Sequence, residues 1–327
     1  MTVLAGARNN KLLLWTLDNI VWVILILITV VFSIAIPGFM SVGNYINIIY
    51  HSVYIGILAI AVSYTLISGN LDLSVESMAG FGSILSAYLC GSSTFASGVH
   101  LNPFLGLLVV AAIGALLGLI NSFFIIKLKI NSFLVTLAAY IYVRGLAILL
   151  TNGQGVSLLP DSFRFVDTFK ILDFPLMVYI MFGFFIVFHF ILRSTRFGKH
   201  IYIIGGNPAA AYNFGIHVKK TLVWVLVISG VLAGVTGWLI TARTNGTTPS
   251  VATGFLFQAL AAVIIGGVSM NGGIGALPGV LGGVLLLSSM QSALNIMNVS
   301  PFLPAVIQGL LVLVAIVLDS IKRAVIR

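Results

Sequence analysis

Charge is what this chain has least of. Only 7% of its 327 residues are Asp, Glu, Lys or Arg, against about 25% in a soluble globular domain. With 60% hydrophobic residues and a mean hydropathy of +1.17, it has too little polar surface to cover a water-soluble globule. A soluble enzyme or binding module is thereby excluded, and an integral membrane protein is expected. Cysteine is nearly absent: the single Cys90 rules out an intrachain disulfide and any multi-cysteine metal site, and its apolar neighbours point to packing. A P-loop is missing too. The Gly198-Lys199 pair is followed by His200 and lacks the upstream glycine spacing, so the chain does not hydrolyse ATP by that route. His51, His100, His189, His200 and His217 are scattered without an i, i+4 pair, and no catalytic or metal constellation is expected.

What the chain does have is a series of long apolar runs. A transmembrane helix needs about 20 such residues. Runs are read near 17–36, 45–67, 78–90, 104–126, 132–150, 174–192, 221–241, 255–270, 276–296 and 302–318. The expected fold is an all-α polytopic membrane protein with about ten transmembrane helices in one bundle, and no long polar linker divides residues 1–327. The third and eighth runs are short, which leaves open a lower count with re-entrant pieces. The first, Ile20 to Ile36, is too long for a signal-peptide core and lacks an A-x-A site, so it is expected to stay. The 34 glycines suit helices that approach closely.

The net charge of +9 is placed for membrane orientation, not for nucleic acid. Arg8, Lys11, Lys127, Lys129, Arg193, Arg196, Lys199, Lys219, Lys220, Lys322, Arg323 and Arg327 all fall on one side of an alternating ten-span path. The positive-inside rule makes that side, and both termini, cytoplasmic. The 151–173 loop falls outside, with Asp161, Asp167 and Asp173 balancing Arg164 and Lys170.

Two connections stand out. The stretch SGNLDLSVES, Ser68 to Ser77, carries Asp72 and Glu76 between apolar runs. An acid at membrane depth costs roughly 2.5 kcal/mol or more. Either the stretch is a wet turn or it is a broken, re-entrant segment near 68–77 lining a protein cavity. Asp72 has three readings: a cap on a helix starting near Ser74, a packing hydrogen bond, or a substrate contact. In the 193–220 loop, Asn207 suits an N-cap, Pro208 the first helical position and Gly215 the stop, so a short helix is expected over Pro208 to Phe214. It is either a surface helix on the headgroups or a docking element for a cytoplasmic partner.

The chain resembles the permease subunits of bacterial ABC importers for monosaccharides, the group of ribose, galactose, xylose and arabinose permeases. The matching pieces are SGNLDLSVES, KINSFLVTLAAYIYVRGLAILLTNG from Lys129 to Gly153, TRFGKHIYIIGGNPAAAYNFGI from Thr195 to Ile216, and AAVIIGGVSMNGGIG from Ala261 to Gly275. The resemblance implies one permease domain in the bacterial cytoplasmic membrane and pairing with a second copy or a related permease. It also implies a cytoplasmic ABC ATPase that uses the ATP, a periplasmic sugar-binding protein, and no cofactor on this chain. ATPase coupling would then map to Gly205, Gly206, Asn207, Pro208, Ala209, Ala210 and Gly215.

A sugar path needs polar groups that bind without holding. Asn70, Asp72, Asn131, Gln258, Gln291 and Asn295, together with Gln308, are the candidates, and interhelical packing is the alternative for each. Arg144 either lines the outer mouth or snorkels to the interface. The chain departs from the family where Phe255, Leu256, Phe257 and Gln258 replace a Tyr-Glu-Leu-Asp pattern, and where Glu76 replaces glycine. Ile130 to Leu134 and Val299 to Leu303 echo one another at the start of two runs, as inverted repeats do. A proton-coupled secondary sugar carrier using Asp72 or Glu76 is the competing class.

Overall fold

The computed structural model describes residues 19–299 and seven isolated positions from 303 to 317. The path opens with α1, Ile20–Ala35, and α2, Val42–Ile67, where the Ser41 hydroxyl accepts from the Asn44 amide. After an irregular loop come α3, Val75–Cys90, and α4, Pro103–Ser122, capped by Asn102 with Pro103 in its first position. A π-turn over Phe123–Lys127 prolongs α4. Next is α5, Ser132–Leu150, whose first free amide at Phe133 is taken by the Asn131 side chain at 2.8 Å.

A surface loop follows, with β1 (Val156–Ser157), a 3₁₀ turn, the single turn α6 (Phe165–Thr168), β2 (Lys170–Ile171) and β3 (Phe174–Pro175). The chain then runs through α7, Leu176–Ser194; α8, Arg196–Gly206; α9, Pro208–Asn213; and α10, Val218–Thr244. It continues with β4 (Gly246–Thr247), α11 (Phe255–Ile265) and α12 (Leu277–Ile296). Two antiparallel ladders of two residues, β1 with β4 and β2 with β3, qualify the all-α expectation without altering the class.

Among the described residues, six helices are long and apolar enough to cross a membrane: α2, α4 with its π-turn, α5, α7, α10 and α12. The described residues therefore do not supply ten full-length helices. α1 and α3 have 16 residues each and α11 has 11. At a rise of about 1.5 Å per residue, the last reaches only about half of a bilayer core. The tenth run, near 302–318, lies outside the continuously described residues.

The two longest helices, α2 and α10, form the centre and are buried along most of their length. They run in opposite senses, since the Arg243 guanidinium at the end of α10 lies 3.9 Å from the Tyr50 ring near the start of α2. Small residues set the distances. A Cβ on Gly230 of α10 would come within 2.0 Å of the Gly114 carbonyl oxygen of α4, so the two backbones touch where any side chain would hold them apart. On the other side Gly283 of α12 meets the Ala262 carbonyl of α11 in the same way, at 2.2 Å.

The order of long central helix, irregular loop, short helix and long helix thus occurs twice, in α2–α3–α4 and in α10–α11–α12. With α2 and α10 antiparallel, the two series are inverted; the sequence echo at Val299 to Leu303 lies largely outside the described residues. Cys90 is buried, with its sulfur 2.9 Å from where a Cβ on Gly106 would stand.

Candidate functional site

The Ser68 to Ser77 stretch is a break inside the bundle, not a turn outside it. α2 ends at Ile67 with Ser68 as its cap, and Gly69 turns the chain with φ +80. Asp72 is 1% exposed. Its Oδ1 accepts from the Ser74 amide at 2.9 Å and the Ser74 hydroxyl at 2.5 Å, while Oδ2 accepts from Ser229 Oγ at 2.7 Å. Ser229 stands near the middle of α10, so the carboxylate is deep in the protein. The Ser74 hydroxyl in turn accepts from Asn121 Nδ2 of α4 at 3.0 Å. One residue earlier, the Leu71 carbonyl accepts from Thr136 Oγ1 of α5 at 3.2 Å. Asp72 therefore makes a local Asx-type turn on the residue preceding α3, plus one bond across to α10. It does not reach the free amides inside the first turn of α3.

Glu76, in that first turn, is 3% exposed and holds a different helix. Its Oε2 accepts from the amides of Gly254 and Leu256, both at 3.0 Å, and so caps the start of α11. Oε1 accepts from the Tyr140 hydroxyl at 3.2 Å. Arg144 donates to that hydroxyl at 2.9 Å and to Thr253 Oγ1 at 3.3 Å, so it reaches across to the α11 entry instead of along the helix to the interface. A carboxylate at a helix N-terminus meets free amides and the positive end of the dipole. A cavity of about 10 Å³ lined by Glu76, Tyr140, Arg144 and Thr253 lies among them, about the least space that holds a water. Sequence reasoning leaves Glu76 as a loop residue or local adaptation, because its partner is 178 residues away and leaves no local trace.

A third feature joins this break to the 193–220 loop. A Cβ on Gly205, near the end of α8, would fall 1.7 Å from the Ile67 carbonyl oxygen and 2.6 Å from the Gly273 amide nitrogen. That amide donates to Ile67 O at 2.8 Å. Gly272, at φ +83, also lacks room: its Cβ would lie 2.8 Å from Gly205 O and 2.9 Å from Gly69 Cα. The ends of α2 and α8 and the loop before α12 therefore meet backbone on backbone.

Beyond this joint, Asn207 Oδ1 accepts from the Ala210 amide at 3.0 Å, Pro208 opens α9, and Gly215 at φ +75 ends it. The helix closes at Asn213, one residue before the expected Phe214. Gly206, Asn207, Pro208 and Ala209 are exposed, Ala210 is half-buried, and Tyr212 and Phe214 project from the tip.

The expected path residues do not form one constellation. Asn70 donates to the Ser68 carbonyl and hydroxyl at 3.3 Å and so shares the break with Asp72. Asn131 caps α5, whose Ser132 hydroxyl accepts from the Leu71 amide at 3.4 Å. Gln258 is half-buried on α11. Gln291 donates to Asn295 Oδ1 at 3.1 Å near the end of α12, at the opposite end of the bundle from Gly205. Gln308 lies outside the described residues. Asn121, Ser229 and Tyr140 are the partners that sequence reasoning misses. Serine, asparagine and tyrosine in apolar helices carry no signal of what they will face.

Residues 44–316 match the family described as branched-chain amino acid transport system / permease component. This chain belongs to that family. It is 32% identical to the ribose import permease protein RbsC of Haemophilus influenzae over 303 residues, covering 91% of this chain and 92% of that protein. It is 33% identical to the L-arabinose ABC transporter permease protein AraH of Azospirillum brasilense over 323 residues, 98% and 92% of the two chains. RbsC of Escherichia coli K12 is 28% identical over 94% of this chain and 95% of its own length. No solved structure matches the chain significantly. The chain is thus a multi-pass membrane transport subunit.

Proposed function

We propose that the chain is the permease subunit of an ABC importer that carries a monosaccharide, a pentose, hexose or related polyol, into the cytoplasm. ATP is consumed by a separate ATPase subunit, and a periplasmic binding protein delivers the sugar. The observation that carries this reading is the likeness to ribose and arabinose permeases along 91% and 98% of the chain. In this scheme both termini and α9 are cytoplasmic. The ATPase seats the exposed α9, and its displacement passes through Gly205 to the end of α2 and to the loop before α12. A second copy or a related permease completes the path. Asn70, Asp72, Asn131, Gln258, Gln291 and Asn295 supply its polar groups, Asp72 by supporting the loop that bounds it.

The competing reading is a proton-coupled carrier using Asp72 or Glu76. Against it, both oxygens of each acid already accept hydrogen bonds from protein groups, an arrangement suited to holding structure more than to exchanging protons with water. The test is reconstitution in vesicles with a partner ATPase and a periplasmic sugar-binding protein. Uptake that requires ATP and ignores a pH gradient is expected. Uptake that persists without ATP and follows the gradient overturns the importer reading.

A further inference from the structure

A cavity of about 270 Å³ opens between α8 and the first turns of α10, lined by Phe197, His200, His217, Lys220, Thr221 and Trp224. Three of its six lining residues are bases, converging from two separate elements. Neither α8 nor α10 carries an acid in its first turn. No side chain caps the start of α10, a 27-residue helix, so its positive end adds to the same field. Arg196, Lys199 and Lys219 are exposed nearby in sequence. Two of the lining residues are aromatic: Trp224, two turns into α10, is 52% exposed, and Phe197 belongs to α8. Tryptophan at the end of a membrane-spanning helix marks the headgroup level.

From this pairing we infer that the cavity binds the phosphate headgroup of an anionic phospholipid of the cytoplasmic leaflet. Lys220 supplies a point charge to the phosphodiester and the imidazoles of His200 and His217 supply donors. The two rings contact the glycerol and the upper acyl chain. Basic pockets between transmembrane helices at this level recognise anionic lipid by the same chemistry. A free phosphate would use the bases equally well but leave the two aromatic rings idle, which is why lipid is the assigned source. Because α8 runs through Gly205 and Asn207 directly into α9, a bound lipid would also brace the loop that presents α9. That last consequence and the choice of leaflet rest on the proposed function, whereas the binding itself does not.

The test uses the full chain in detergent, with native mass spectrometry to count retained phosphatidylglycerol against phosphatidylcholine. Wild type should retain phosphatidylglycerol selectively, and Lys220→Ser should weaken it about fivefold, the effect of one basic residue at an anionic surface. The His200→Gln/His217→Gln double variant should weaken it further. Lys219→Ser, outside the lining, should retain the wild-type level. Phosphatidylglycerol with brominated chains should quench wild-type tryptophan fluorescence more than brominated phosphatidylcholine, and the difference should vanish in Trp224→Phe. This arm needs no variant of the basic residues, and so stands even if those variants fold poorly. Equal retention of the two lipids, or an equal loss in Lys219→Ser, overturns the proposal. Displacement of the lipid by excess inorganic phosphate assigns the site to free phosphate and overturns the lipid assignment. A loss of ATPase affinity in Lys220→Ser with unchanged lipid retention overturns it in favour of a protein contact. Selective lipid retention in a chain that fails ATP-driven uptake would sink the importer reading and leave this one standing.

Discussion

Gly205 and Gly206 are neighbours with opposite surroundings, and replacing each by alanine separates contact from conformation. At Gly205 the new Cβ would begin 1.7 Å from the Ile67 carbonyl oxygen, and real Cβ contacts almost never fall below 3.0 Å, so α8 and α2 must part by 1.3 Å. The Gly273 N–H···O Ile67 bond, 2.8 Å long, shares that point and would stretch past any useful length. Overpacking costs about 1–3 kcal/mol, and a buried backbone pair left unmade adds roughly 1–3 kcal/mol. Local relaxation offsets part of this, so a loss of about 2–4 kcal/mol is expected. At Gly206 nothing lies within 4 Å, and alanine at the end of a helix is neutral or helpful by up to about 1 kcal/mol.

The assay has two parts: thermal unfolding of the purified chain, and ATP-driven sugar uptake with ATPase activity measured in the same vesicles. Gly205→Ala should lower the unfolding midpoint and lose uptake while ATP hydrolysis by the bound ATPase continues. Gly206→Ala should match wild type in stability. If Gly205→Ala is as stable as wild type, or if Gly206→Ala is as damaging, the backbone joint is not what connects these elements.

The remaining predictions concern the acids Asp72, Glu76 and Asp167. Asp72→Ala leaves the Ser74 amide and the Ser229 hydroxyl without their acceptor and should cost about 2–4 kcal/mol. Asp72→Asn, which keeps one oxygen and can donate with its amide, should cost below about 1 kcal/mol; unfolding midpoints of the two variants decide it. Glu76→Gly uncaps α11 and should destabilise by about 2–3 kcal/mol, whereas Glu76→Gln, retaining an oxygen for the Gly254 and Leu256 amides, should stay near wild type. Protease cleavage within residues 245–254 should rise only in the glycine variant. In the loop between α5 and α7, burial raises the pKa of Asp167 against the opposing pull of Arg243 and Lys170, and its Oδ1 has no hydrogen-bond partner. The folded state therefore holds the proton to higher pH than the unfolded one. The stability this gives is present at acid pH and lost as pH rises through the folded pKa. Asp167→Asn should accordingly raise the unfolding midpoint at neutral pH, with the gain shrinking as pH falls toward the ordinary carboxylate range. An unchanged gain across that range would point to packing instead of charge.

Elements governed by nearby residues are legible in the sequence. Asn207, Pro208 and Gly215 lie within one short segment, and the helix they imply is present to within one residue. The apolar runs likewise locate α2, α4, α5, α7, α10 and α12. The eighth run overshoots because its apolar residues continue to 270, while Gly267 at φ +90 takes the chain out of the helix after Ile265. Partners are not legible in this way. Asp72 meets a serine 157 residues on, and α10 is buried on nearly every side, so no polar stripe indicates which face Ser229 occupies. The Gly205 joint is hidden for a related reason: a glycine in sequence does not say whether it turns a chain or admits a neighbour, and Gly205 and Gly206 differ only in what stands beside them.

The two acids of the Ser68 to Ser77 stretch tie one half of the bundle to the other at two points. Asp72 ties the break to α10, directly through Ser229, and to α4 through Ser74 and Asn121. Glu76, one turn later, ties the same helix to the start of α11. A buried carboxylate that loses its donors costs several kcal/mol, far more than sliding an apolar contact. The first turn of α3 therefore cannot shift against α10 or α11 without unpairing an acid, and it moves together with them or not at all. Ile67, five residues before Asp72, meets the Gly205 backbone in a contact that leaves no room for a side chain. Under the importer reading, a push on α9 thus has a continuous stiff route through α8, Ile67 and Asp72 to Glu76 and the entry of α11. A route of this kind needs both acids to keep their partners throughout the cycle, and a proton carrier would need at least one of them to let go.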